Sequence, residues 1–197
     1  MRTIEKNIYT FEELSTEAQA AAIDHLRDIN VEHDWWEYTV DYYKEKLESL
    51  GFVNAKIYFS GFYSQGDGAC FDADIDLITI LENKLQCAAD YKDAKNLLRW
   101  LVLEDNGLLA DYKISSNGSR YSHERTRFVD TTSYASDCVK DWETDEILIM
   151  LEDLRLELCR EIYSSLEIEY EYLISDEAVK GTIEANEYEF TENGCLY

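Results

Sequence analysis

"IYFSGFYSQGDGACFDADIDL", residues 57–77, decides the fold. Apolar and β-prone residues alternate on both sides of a short turn containing Gly66 and Gly68, the pattern of an antiparallel hairpin. The alternation predicts strands over 53–63 and 69–80 and assigns positive φ angles to the two glycines. On the second strand Phe71, Ala73, Ile75 and Leu77 point to a core. Asp72, Asp74 and Asp76 point the other way, about 6.6–6.8 Å apart. Three like charges in a row must face water, cations or a basic partner.

Outward from this hairpin the chain reads as helices and further strands. Residues 4–10 predict a short edge strand, and Thr10 with Glu13 forms a capping-box pattern. Ser15 is placed to cap an alanine-rich helix. A second helix is expected from Asp34 to Leu50, stopped by Gly51. A helix through residues 83–107 follows the hairpin. Strands are then expected over 108–116 and 120–134, joined at Asn117-Gly118. Ile147, Leu151, Leu154, Leu158 and Ile162 form a stripe at helical spacing inside a long helix, Thr144 to Ile174. Ser175 is placed to cap a last short helix, and Asn193-Gly194 to turn a small hairpin. The fold class is α+β: an antiparallel sheet of about four strands packed against several helices, one of them long and C-terminal. The 197 residues fit one domain, with residues 175–197 a candidate appendage.

Charge narrows the function. Forty-two acids face 18 bases, a net charge of −24. Such a field repels nucleic acid and anionic membranes and attracts basic surfaces. The asymmetry is local as well. Residues 141–197 hold 17 acids and three bases, whereas 113–140 hold three acids and five bases. No apolar run approaches the ~20 residues of a membrane span. "MRTIEKNIYTFEEL" lacks the apolar core of a signal peptide, and five widely spaced cysteines without a CxxC pair fit reduced thiols. A cytoplasmic protein is the expectation.

The motifs assign no cofactor and no metal. Counting an EF-hand loop from Asp72 puts Leu77 at the glycine position and Asn83 at the glutamate position, so that pattern fails. A glycine-rich element before paired aspartates resembles a nucleotidyltransferase site, but the helix such a site needs has no room. "GDG" lacks the Gly-Lys-Ser/Thr of a phosphate loop. Cys70 beside the turn is a thiol with a buried, structural alternative. His25, His33 and His123 fall on different elements.

Two features suit a protein partner. Asp153, Glu157 and Glu161 run down one helix face at i, i+4 and i+8. Trp35 and Trp36, in "HDWWEY", point about 100° apart on a helix, so both cannot lie equally deep in one core. Tryptophan and tyrosine dominate binding hot spots.

"YTFEELSTEAQAAAIDHLRDINVEHDWWEYTVDYYKE", "IYFSGFYSQGDGACF" and "SDEAVKGTIEANEYEFTENGCLY" resemble a family of small acidic bacteriophage and prophage proteins. The resemblance covers both ends and the glycine turn and implies a setting in the infected host's cytoplasm. It carries no catalytic residue. By analogy with acidic phage accessory proteins, the expected function is inhibition of a host defence or nucleic-acid-binding protein, of anti-CRISPR or anti-restriction type. Such a protein is non-enzymatic and occupies a basic host surface through Asp72, Asp74, Asp76, Asp153, Glu157, Glu161, Trp35 and Trp36. DNA mimicry needs two carboxylate rows, because phosphates on one strand recur every ~3.4 Å and carboxylates on one face every ~6 Å. Two alternatives stay open: a metal-dependent enzyme or nucleotide-binding protein built on Asp72, Asp74 and Asp76, and a phage structural or accessory protein.

Overall fold

The computed structural model describes residues 7–89, 91–116 and 118–197. Among them the chain is α+β, as its alternation and periodicity predict. It divides into two compact units, Met1–Glu37 with Leu166–Tyr197, and Tyr38–Ser165.

The first unit holds strand β1 (Tyr9–Thr10) and helix α1 (Thr16–His25) at its N-terminal end. Ser15 caps α1 by accepting from the Ala18 amide, and Glu13 accepts from the Thr10 amide at 2.8 Å, closing a 3-10 turn. Residues 4–6 of the expected edge strand lie outside the described residues. Tyr9 and Thr10 pair with Phe190 and Glu189 of a late strand. Phe11, Leu14, Ala18, Ala22, Val179, Ile183 and Phe190 make this unit's buried core.

The second unit is built on a four-stranded antiparallel sheet. Helix α2 (Glu37–Ser49) ends at Gly51, whose φ of +98° makes it the turn residue the sequence predicts. Strands β2 (Phe52–Ser60) and β3 (Gly68–Ile75) form the hairpin. Helices α3 (Leu77–Gln86) and α4 (Tyr91–Asp105) follow, then β4 (Tyr112–Ser116) and β5 (Arg127–Thr131), in the sheet order β2-β3-β4-β5. Helix α5 (Asp141–Leu173) runs through the division between the units, and α6 (Asp176–Ala185) and β6 (Glu189–Phe190) complete the first one. Ser175 caps α6 by accepting from the Ala178 amide.

Several expectations are corrected. The second strand stops at Ile75 rather than residue 80, because Asp76 accepts from the Thr79 amide and hydroxyl and starts α3. The single helix expected over 83–107 is two helices. The strand expected over 120–134 is a third of that length, Arg127–Thr131: residues 121–126 are a loop ending in a 3-10 turn, in which the Thr126 hydroxyl donates to the Tyr121 and His123 carbonyls. Residues 117–126 therefore join β4 to β5, and Asn117 of the expected tight turn lies outside the described residues. In α5, Ile147, Leu151, Leu158 and Ile162 are buried as expected, but Arg155 is buried too, at 2% exposure. Its guanidinium reaches the Glu124 carbonyl at 2.6 Å and Glu152 at 2.7 Å. Glu152 in turn accepts from the Val129 amide at 2.7 Å, so α5 satisfies the outer edge of β5.

Candidate functional site

The three strand aspartates do not form a row. Asp76 has left the strand as a helix cap. Asp74 accepts from the Asn54 side-chain Nδ2 at 3.0 Å, where Asn54, at φ +56°, sits in a register shift between β2 and β3. Asp72 accepts from Arg127 Nε. Arg127 is buried, its guanidinium 5.0 Å from the centre of the Tyr58 ring, and Lys56 lies directly across the ladder from Asp72. Each carboxylate thus holds a different protein partner. No group of three or more His, Cys, Asp or Glu side chains placed to hold a metal occurs among the described residues.

The glycine turn is also built differently from its expectation. Neither Gly66 nor Gly68 has a positive φ. Asp67 makes the turn, accepting from the Tyr63 and Ser64 amides at 2.9 and 2.6 Å. Gly68 is required for space instead: a Cβ there would lie 3.0 Å from His123 Cδ2 and 3.2 Å from its Cα. Cys70 and Cys159 are buried, and burial pushes both thiols up, Cys159 to about 12. Neither is a thiolate nucleophile at neutral pH.

On α5 the acidic face survives in altered form. Glu161 is exposed but already partnered, accepting from Lys46 Nζ and from the Tyr43 hydroxyl at 3.3 Å. That carboxylate raises the Lys46 pKa, chiefly through the hydrogen bond. Asp153 and Glu157 are exposed and make no ion pair among the described residues. They belong to a longer stripe, Trp142, Glu146, Ile149, Asp153 and Glu157, in which every member is exposed. Steps of three or four residues keep these five side chains within one narrow sector of the helix. Trp142 is 49% and Ile149 61% exposed, so the carboxylates alternate with large apolar groups.

The stripe borders a cavity of ≈610 Å³ against α3 and α4, to which Lys84, Lys92 and Trp100 contribute. Trp100 is buried, and its indole nitrogen has no hydrogen-bond partner among the described residues. Trp142 and Ile149 belong to no tryptophan pair and to no i, i+4 run of acids. Their signal in the sequence is the spacing 142, 146, 149, 153, 157.

Trp35 and Trp36 are half-buried and pack edge-to-face, ring centroids 6.0 Å apart. Trp35 also packs on Tyr170, at 5.5 Å. The pair lies in the first unit and is largely spent on packing there.

The second unit thus commits its sheet aspartates to the fold and leaves an acidic and apolar stripe exposed on its long helix. Residues 35–176 match the model of a domain of unknown function, DUF8835, and the chain belongs to that family. No curated protein and no solved structure matches the chain. No helix among the described residues is long and apolar enough to cross a membrane.

Proposed function

We propose that this is a non-enzymatic binding protein whose acidic stripe on α5 occupies a basic surface of another protein, one that ordinarily holds nucleic acid. One observation carries the proposal. Trp142 and Ile149 stand exposed among Glu146, Asp153 and Glu157, which make no ion pair among the described residues. Large apolar anchors rimmed by charge are the composition of a protein interface. Eighteen bases cannot neutralise 42 acids, so the long-range field steers the same class of partner. The resemblance to phage proteins supports a setting in the host cytoplasm, with a defence or nucleic-acid-binding protein as the target.

The test compares capture from a bacterial lysate by the wild-type chain and by the triple variant Glu146→Gln, Asp153→Asn, Glu157→Gln. The wild type should retain a nucleic-acid-binding protein that both salt and competing duplex DNA release. The variant should retain much less. Equal capture by both chains, or a captured protein that DNA does not displace, overturns the proposal.

A further inference from the structure

We infer that the groove beside the glycine turn is a binding site for a small phosphate-bearing ligand, independent of the acidic stripe. In a chain with more than twice as many acids as bases, an arginine without a carboxylate is the exception. Of the seven described arginines, Arg27, Arg99, Arg127, Arg155 and Arg160 are paired with acids. The two without a carboxylate among the described residues, Arg120 and Arg125, lie in one loop; Arg125 lines a groove, and Arg120 packs on Tyr121, which lines it too. That groove encloses ≈470 Å³, and its lining includes Gln65, Gly66, Tyr121, His123, Arg125 and Thr126. The volume lies in the range of small-molecule sites, about 300–1,000 Å³.

The acids near the groove are held by other partners, which leaves Arg125 open to a ligand. Glu124 also lines it, but its carboxylate is held by Arg160 at 2.9 Å and is largely covered. Asp67 is turned to the Tyr63 and Ser64 amides. The remaining acids act through solvent, where their field decays over ~8 Å at physiological salt.

The loop is also held in advance of any ligand. The Arg125 amide donates to His123 Nδ1 at 3.2 Å, which places the neutral imidazole's proton on Nε2. The Arg120 guanidinium lies 5.1 Å from the Tyr121 ring centre and donates to its hydroxyl at 3.1 Å, while the ring stays 55% exposed. Guanidinium groups bind phosphate oxygens in pairs of parallel hydrogen bonds. An exposed aromatic ring adds a stacking surface for a planar base. A nucleoside monophosphate satisfies both features. A nucleic-acid polymer would bring many more phosphates against the acidic surface.

Calorimetric titration of the full chain with inorganic phosphate, adenosine monophosphate and adenosine tests this. Both phosphates should saturate one site, the nucleotide more tightly, and adenosine should bind far more weakly. Arg125→Gln should weaken nucleotide binding about tenfold or more. Tyr121→Ala should remove the nucleotide's advantage over phosphate. Arg125 is exposed, so the variant should keep the wild-type melting curve. If it does not, Arg120→Gln, whose side chain touches Tyr121, carries the same expectation. No saturable binding of either phosphate at millimolar concentration overturns the inference. So does adenosine binding as tightly as its monophosphate, or unchanged nucleotide affinity in both arginine variants.

Discussion

Asp72, Asp74 and Asp76, on and just after β3, and Glu146, Asp153 and Glu157 on α5 are both sets of three acids close in sequence, yet they do different work. Strand β3 lies between β2 and β4, and its aspartates are drawn to Arg127, Asn54 and Thr79. Glu146, Asp153 and Glu157 make no ion pair among the described residues, although Lys84 and Lys92 line the same cavity as Glu146 and Asp153. A regular run of charge therefore says little about function until its partners are known. Acids consumed by the fold should cost stability when removed, and acids left over should cost only binding.

Glu143 should give the largest effect, because it marks the boundary between the two uses on a single helix. It is fully buried at the start of α5, receives both Arg99 Nε and Nη2, and accepts from the Lys140 amide at 3.1 Å. The Arg99 hydrogen bonds hold its carboxyl below the ordinary carboxylate range. A group with a depressed folded pKa gives stability that is fully present above its unfolded pKa and is lost as pH falls through the folded value. Glu143→Gln should lower the urea midpoint at neutral pH and flatten the acid limb of stability against pH. An unchanged acid limb would contradict this.

Asp72→Asn should come next. It leaves the buried Arg127 without its anion, although the Thr126 carbonyl and the Tyr58 ring remain. Asp72 is one-third exposed, so the expected loss is about 2 kcal/mol, below the full cost of breaking a buried pair. Asp76→Ala removes a helix cap and should cost about 1 kcal/mol by equilibrium unfolding.

The triple neutralisation of Glu146, Asp153 and Glu157 is the smallest and should have the opposite sign. Asp153 and Glu157 are like charges at i, i+4, so relieving them should stabilise by about 0.3 kcal/mol. A loss of 1 kcal/mol or more would place these acids among the structural ones and erase the contrast.

Much of this fold is legible in the sequence because its signals are local. Ser15, Gly51 and Ser175 end or begin helices through contacts within a few residues. The apolar alternation of β2 and β3 is likewise readable along the chain. Asp76 fails that test for a local reason: it continues the strand's alternation and also stands three residues before Thr79, and the cap wins. The candidate site is less legible because it depends on partners far apart in sequence. Arg127 finds Asp72 and Lys46 finds Glu161 across long separations. No spacing rule tells which arginines will remain without an acid. Tyr58 and Arg127, or Gly68 and His123, become neighbours only when the sheet and its following loop are assembled.

The buried indole of Trp100 has an optical consequence. The chain has four tryptophans, of which Trp100 is buried and Trp142 faces water. Their emission should separate into a blue component shielded from soluble quenchers and a red component open to them. A partner that seats on α5 would cover Trp142 and shift only the red component. Unfolding of the second unit would redden Trp100 as well. Intrinsic fluorescence can thus distinguish docking from loss of structure without a label.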